Sequence, residues 1–533
     1  MSNQYISYDV TKTLSKLLIQ FLEGNPELDS FYGNKSKIED FEAQIITKSK
    51  NFSIEKRQIL VDVLNRQYDH LYPNSSIFER INLLRHPDTF TVATGHQLNL
   101  MGGPLYFIYK IVSIINLAEQ LQLKYPNNKF IPIFWMATED HDFEEINHFS
   151  VGGEKIQWKK KCNGPVGRLS TQGLESLLEN FKKIIQNTPY ENELNEIFKD
   201  SYISSKNLSN ATRFLVNRIF GKDGVIVVDG DDSSFKALFS PHIKNELINK
   251  LVDSEITNTN IRLNKIDKNF KIQVNPRPIN LFYIKDGLRE RIIQKQDLFR
   301  VLNTDISFNL ESILIELEKH PERFSPNVIM RPLFQECILP NLSYTGGGSE
   351  LSYWLQLKSY FDISKVCFPI LMHRNSAVIT TTKQIHKLDK LDLSISDLFL
   401  SRKDLITKIT KLKSSQKIDF SSQITHLRKQ FNKLYDLAKE TDASFTGAVA
   451  AQEKKQINGL LYLEKRLLKA EKKKYKSSIE QALILQSLLF PSGNLQERLL
   501  NFTAFYAFHG EKFIKKLKSE MNPFQNSFSI ISL

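Results

Sequence analysis

The sequence predicts an α/β protein: a parallel-sheet core with connecting insertions, followed by a C-terminal α-helical coiled-coil arm. Three observations carry this. Residues 89–93 and 129–136 are short β-rich segments on either side of a helical stretch. Strand, helix and strand in close succession form a βαβ unit, which closes right-handed onto a parallel sheet. Residues 384–490 change texture, with few glycines, much Lys, Leu and Glu, and apolar residues spaced by alternating threes and fours.

Residues 1–85 read as helices packed on the core, with Leu14, Leu17, Leu18 and Phe21 in one helical repeat. Ile54, Ile59, Val63, Leu64, Tyr68 and Leu71 form another. The core is expected over 86–383, with insertions at about 151–220 and 235–325. Residues 89–93 form a strand that leaves through Thr94-Gly95, and Pro104 suits the first turn of the helix that follows, to about Leu123. Residues 129–136 are nearly all apolar, as in a strand buried on both faces. Residues 224–229 give a third strand with an acidic tip, and 328–332 are expected as a fourth. A Gly-Gly turn at Gly152-Gly153 and a basic patch at Lys159-Lys160-Lys161 mark the first insertion. Gly346-Gly347-Gly348 precedes a helix starting at Ser349-Glu350, and residues 367–371 are a further buried run. In the arm, Ile424, Leu427, Phe431, Leu434, Ala438 and Thr441 make a heptad seam that Phe445 and Ala448 extend. Breaks are expected near Ser414-Ser415 and Thr446-Gly447, and Pro491-Ser492-Gly493 ends the arm. Residues 491–533 return to the core as helices.

The 533-residue chain is 41% hydrophobic and 11% aromatic, enough for a large core. No stretch reaches the roughly 18 apolar residues that span a bilayer, and the N-terminus lacks a basic region followed by an apolar one. Cys162, Cys337 and Cys367 are odd in number and far apart, which points to a reducing, cytoplasmic setting rather than a disulfide framework or zinc ribbon. The net charge of +13 invites a polyanion reading. Much of the lysine lies after residue 400 among Glu and Asp on helices, where it reads as a solvated face, and no nucleic-acid motif accompanies it.

Two loops carry the candidate chemistry. Thr94-Gly95-His96-Gln97 lies where a strand gives way to a helix, and open α/β sheets bind ligands beyond the carboxyl ends of their strands. Gly95, Gly102 and Gly103 would let backbone approach a ligand. Tyr106 and Lys110, four apart, share a helix face near this mouth. Glu139-Asp140-His141-Asp142 follows the next strand, so both loops fall at one sheet edge. Crowded carboxylates push one another's pKa apart, which suits acid–base work, and His141 could carry a proton or hold a metal. No metal site is assigned. Tyr344, Gly346, Gly347, Glu350 and Tyr353 form a third candidate, which is not a P-loop because no Gly-Lys-Ser/Thr follows.

At these motifs the sequence resembles the cysteine ligase family of bacillithiol biosynthesis. The resemblance rests on Thr94-Gly95-His96-Gln97, on Gly103-Pro104-Leu105-Tyr106 with Lys110, and on the block from Phe134-Trp135 through Glu139-Asp140-His141-Asp142. Arg331-Pro332-Leu333, Leu339-Pro340, Gly346-Gly347 with Glu350, Tyr353-Trp354 and Glu497-Arg498 extend it along the whole chain. It implies a Rossmann-like core related to class I aminoacyl-tRNA synthetases and a coiled-coil arm that serves dimerisation, a nucleotide being associated with the arm region.

The activity implied is a carbon–nitrogen ligase that joins cysteine to glucosaminyl-malate in the last step, with ATP and Mg2+ as the expected cofactors. His96 would stabilise phosphate charge, while Asp140, His141 and Asp142 bind the amine and take its proton. Thr94, Gly95, Gln97, Gly103, Tyr106, Lys110 and Glu139 would bind substrate or nucleotide, as would the third candidate. The sequence departs from the synthetase signature: Ala93 stands at the first histidine of His-x-Gly-His, and no Lys-Met-Ser-Lys-Ser loop is found. The rival readings are a nucleotidyltransferase or metal-dependent hydrolase on the same core, or a non-catalytic nucleotide- or nucleic-acid-binding scaffold with a helical arm.

Overall fold

The computed structural model describes residues 4–69, 76–415 and 418–533. Leu71, expected to close the second N-terminal repeat, lies outside them. The chain divides into two compact units, Met1–Val378 with Gln496–Ile531, and Ile379–Leu495 with Ser532–Leu533.

The first unit is built on five parallel strands: β1 (Thr89–His96), β2 (Lys129–Met136), β3 (Ile226–Asp229), β4 (Asn341–Gly346) and β5 (Ile370–His373). Their order is β5-β4-β1-β2-β3, so the winding reverses between β1 and β4. Such a switch point opens a crevice at the carboxyl ends of the strands. Register brings those ends level: His96 lies opposite Met136, Met136 opposite Asp229, and Gly346 opposite His373.

The helix α1 (Tyr106–Lys124) follows β1, and residues on all its sides are buried, as expected for a helix apolar all round. Ile114, Leu117 and Leu121 pack with Phe90 and Val92 of β1, Phe130 of β2, Leu342 of β4 and Ile370 of β5. Phe41 and Ile45, from the N-terminal helix Phe41–Asn51, close the same cluster. Gly102 and Gly103, at φ 72° and 63°, turn the chain between β1 and α1. They serve this turn and do not line the cavity described below.

Beyond β3, α2 (Ser233–Asn249) and the helix Leu251–Ile266 lead to an antiparallel sheet of five strands between Leu281 and Pro326. The stretch expected as a fourth core strand at 328–332 is instead the entry to α3 (Met330–Ile338), and β4 takes the fourth place. Asn327 Oδ1 accepts from the amides of Ile329 and Met330 at 2.9 and 3.2 Å, which starts the helix. Pro332 sits in its first turn, where an absent N–H costs nothing. The short α4 (Gly348–Trp354) follows β4.

The second unit contains α5 (Arg402–Lys413), α6 (Ser421–Lys439), α7 (Ala443–Lys474) and α8 (Lys476–Leu489). The expected seam is not one continuous helix. It breaks after Lys439, and Asp442 caps α7 by accepting from the amides of Ser444 and Phe445 at 2.6 and 3.2 Å. Thr446 and Gly447, expected at the break, lie inside α7. The two helices return on each other: Tyr435 donates to Glu453 at 2.9 Å and the Phe420 amide to Glu464 at 3.0 Å. Phe431, Ala438 and Val449 are buried between them with Leu427 and Tyr435. The seam is therefore satisfied only in part within one chain, since Leu434, Thr441, Phe445 and Ala448 stay exposed.

A buried ion pair ties the Phe41–Asn51 helix to α3. Lys48 Nζ lies 3.3 Å from Glu336 Oε2, and both side chains are almost fully buried. Asn341 at the start of β4 also donates to Glu336, at 2.6 Å. Lys48→Met strands this carboxylate, and a loss of about 3–5 kcal/mol is expected in urea unfolding. The double change Lys48→Met with Glu336→Leu is expected to cost clearly less than the single one.

Candidate active site

A cavity of about 740 Å³ opens at the carboxyl ends of the strands, within the range of ligand pockets. Its floor comes from the loops after β1, β2 and β4. Its wall includes the antiparallel sheet, through Phe282, Arg289 and Arg291.

At the switch point, Lys110 of α1 spans the two halves of the sheet. Its Nζ lies 2.5 Å from Glu350 Oε2 and donates to Gly95 O at 2.8 Å. Glu350 also accepts from the Gly347 amide and the Tyr344 hydroxyl, both at 2.8 Å. Burial alone would raise this carboxyl, but Lys110 and the donated hydrogen bonds outweigh it and hold it down to about 2. Thr94 Oγ1 donates to Thr345 O at 2.7 Å, joining β1 to β4. Thr94 is thus buried structure behind the site.

His96 stands at the tip of β1 with its ring 5.3 Å from that of Tyr106. Burial, reinforced by Lys110, pushes its imidazole down to about 3, so it is neutral at physiological pH. Its Nε2 is buried without a hydrogen-bond partner among the described residues. A neutral imidazole can meet an anion only as a hydrogen-bond donor.

The acidic loop after β2 holds the other pole. Glu139 forms an ion pair with Lys236 of α2, a side chain with no exposed surface, and accepts from Ser325 at 3.2 Å. Burial pushes the Glu139 carboxyl up, against the pull of Lys236. Gln97 donates to Asp140 Oδ2 at 3.1 Å and to Glu145 at 2.6 Å, which locks the two loops together. The other Asp140 oxygen accepts from the His141 amide at 2.7 Å.

Of the residues singled out from the sequence, the cavity gathers Gly95, His96, Gln97, Tyr106, Lys110, Glu139 and Asp140, together with Gly347, Glu350 and Tyr353. Thr94, Gly103, Gly346, His141 and Asp142 do not line it. His141 and Asp142 are exposed at its rim, where His141 Nδ1 meets Arg289 at 2.6 Å. Among the described residues no group of three or more His, Cys, Asp or Glu is placed to hold a metal ion.

What sequence reasoning missed is mostly arginine. Arg277, Arg289, Arg291 and Arg374 line the cavity together with Arg331 and Arg498, which only the family resemblance had named. Arg289 and Arg291 lie two apart on the strand Leu288–Lys295, so they share a face, a signal readable from alternation alone. Arg374 follows β5 in the polar stretch His373-Arg374-Asn375-Ser376, and nothing local distinguishes it.

Parallel topology, a switch-point cavity and paired buried charges define a Rossmann-like enzyme domain, with a helical hairpin domain beside it in sequence. Residues 1–375 match the family model described as "Bacillithiol biosynthesis BshC, N-terminal Rossmann-like domain". Residues 377–533 match its "C-terminal coiled-coil domain". Proteins curated as "Putative cysteine ligase BshC" from Flavobacterium johnsoniae and Christiangramia forsetii are each 47% identical, over 100% of this chain and 100% and 99% of theirs. That from Flavobacterium psychrophilum is 48% identical over 100% of this chain and 99% of its own. The chain belongs to the BshC family of bacillithiol biosynthesis.

The buried imidazoles set an acid limit on stability. His96 and His373 are pushed down to about 3 and His242 to about 4, in each case first by burial. In the unfolded chain imidazoles protonate near 6.5. Below that pH the unfolded state binds more protons than the folded one, so stability falls as pH drops from about 6.5 toward 3. Glu350, held at about 2, extends the loss below the ordinary glutamate range. Thermal midpoints are expected to fall between pH 7 and pH 5, and the fall to be smaller in His373→Asn.

Proposed function

We propose that this chain forms the amide bond between cysteine and glucosaminyl-malate, the last step of bacillithiol biosynthesis, in an ATP-dependent carbon–nitrogen ligation. The observation that carries the reading is the pairing of opposite poles in one cavity. Glu139 and Asp140 follow β2, whereas Arg374 follows β5. Three strand spacings separate those tips, about 14 Å. A substrate bearing both an amine and carboxylates suits such a site: the acidic loop takes the ammonium, and the arginines take the carboxylates of malate and cysteine.

In this reading Asp140 accepts the proton that the amine must lose to attack. Gln97 and the His141 amide hold its two oxygens, so the carboxylate stays oriented. His96, neutral and between the poles, offers one hydrogen bond to an oxygen of the bound substrate. The cationic lining also fits the phosphates of ATP, which would supply the activation of the cysteine carboxylate. Mg2+ would accompany those phosphates.

The chain's own thiols stay outside the chemistry. None of the three lines the cavity. Burial pushes the Cys337 thiol up to about 12 and raises Cys162 and Cys367 as well, so none is poised as a thiolate. All three are unpaired, in keeping with a cytoplasmic setting. No helix among the described residues is long and apolar enough to cross a membrane.

We also place homodimerisation in the arm. Leu434 and Leu437 of α6 and Leu461 and Leu463 of α7 remain exposed after the hairpin has closed. Leu434→Asp with Leu437→Asp is expected to give a monomer by light scattering with unchanged helical signal, because the hairpin core of Phe431, Ala438 and Val449 is untouched. A persistent dimer would remove this surface from the interface.

The ligase reading is tested by incubating purified protein with cysteine, glucosaminyl-malate and ATP, and measuring bacillithiol by thiol labelling. Asp140→Asn is expected to lower turnover by roughly 10²-fold or more, whereas Cys162→Ser, Cys337→Ser and Cys367→Ser stay within about twofold, as expected of groups away from the chemistry. Full turnover in a folded Asp140→Asn protein would rule out the base, and a dead cysteine variant would point to covalent chemistry.

A further inference from the structure

Two polar atoms in the cavity are buried and lack any hydrogen-bond partner among the described residues: His96 Nε2 and Arg374 Nε. Both residues line the cavity, and both lie against one ring. Tyr106 is 5.3 Å from the His96 ring, and the Arg374 guanidinium sits over its face at 5.1 Å.

Both terminal nitrogens of Arg374 have partners. Nη2 meets Glu497 Oε1 at 2.7 Å, and Nη1 donates to Asn375 O and Ser376 Oγ at 2.9 and 3.1 Å. The side chain is only 5% exposed. A guanidinium held through both terminal nitrogens, in a residue that lines the cavity, is fixed before any ligand arrives. A buried donor left without a hydrogen bond is costly, so such an atom is expected to have a partner during function.

The surrounding charges favour an anion. Of the acids near this corner, Glu350 is neutralised by Lys110 and Glu497 by Arg374, while Glu145, which also acts on Tyr106, accepts from Gln97. Arg498 also lines the cavity and acts electrostatically on Tyr106, yet makes no ion pair among the described residues.

We propose that this corner is an oxyanion subsite, in which Arg374 Nε and His96 Nε2 donate to one carboxylate or phosphate group while Arg498 approaches from the mouth. It deepens the ligase reading by assigning where the acidic part of a substrate lies, and it makes Glu497 a positioning residue that orients Arg374. The His96 tautomer required carries its hydrogen on Nε2.

Binding of malate and of inorganic phosphate to the full-length protein, measured by calorimetry without cysteine or ATP, tests this. The wild-type protein is expected to bind at least one of them. His96→Ala and Arg374→Lys are each expected to weaken that binding tenfold or more, and Arg498→Gln by a smaller factor, with unchanged circular dichroism. Malate binding alone assigns the subsite to the sugar-malate substrate, and phosphate binding alone to the nucleotide. If Arg374→Lys does not fold, His96→Ala and Arg498→Gln decide. Affinity within twofold of wild type in the folded variants overturns the subsite, as does a wild-type protein that binds neither anion. Because these readings need no turnover, a failed ligase assay with intact anion binding would reject the reaction and keep the subsite.

Discussion

The ion pair between Lys110 and Glu350 sits where the sheet reverses its winding, and the active cavity is organised around it. Lys110 is almost fully buried in a helix that is apolar on every side. An ammonium there is tolerable only with a close counter-charge, because the cost of leaving water exceeds what a lone hydrogen bond returns. Glu350 provides that charge from the far side of the crevice, and the Gly95 carbonyl takes a second proton of the ammonium. The pair thereby fixes the spacing of the β1 and β4 loops. It also cancels its own charge, so the neighbouring cations are left to govern what the cavity attracts.

The same solution recurs around the site. Lys236 with Glu139, Arg374 with Glu497, and Lys48 with Glu336 each bury an ion beside its opposite. Pairs of this kind contribute little net stability compared with apolar packing, but breaking one leaves an uncompensated charge. They therefore act as constraints on geometry. Glu139 is held by α2, Asp140 by Gln97 of the β1 loop, and Arg374 by the helix Gln496–Leu499 near the end of the chain. Side chains from 43 to 123 residues apart are positioned to within a hydrogen bond because each has a partner that is itself anchored.

His96 shows what such surroundings do to a titratable group. Burial and the nearby cations both disfavour its protonated form, so the imidazole offers a fixed neutral dipole where a charged ring would compete with the arginines for the same anion. His141, the residue after Asp140, faces solvent beside Arg289 and lacks this enclosure. Proximity in sequence to a candidate motif is thus no guide to whether a histidine enters the cavity.

Local pattern alone made much of the core legible. Residues 129–136 could be read as a doubly buried strand because every side chain but one is apolar or aromatic, and the loops after β1 and β2 followed from it. Alternation and helical period are local, so they survive without knowledge of the fold. The stretch at 328–332 misled because a short apolar run reads equally as strand or helix, and the Asn327 cap that decides it acts through backbone amides. The heptads of 424–448 gave the apolar face but not its partner; the break at Asp442 turned the seam onto its own chain. The Arg374 corner was beyond reach for the same reason. Arg374 and Arg498 become one corner only when β5 and the C-terminal helices come together, and a pairing between distant segments leaves no periodic trace in the sequence. Sequence by itself determined the element types, the two motif loops and the family. Tertiary structure decided which charges face one another, and therefore which are neutralised and which remain to meet a ligand.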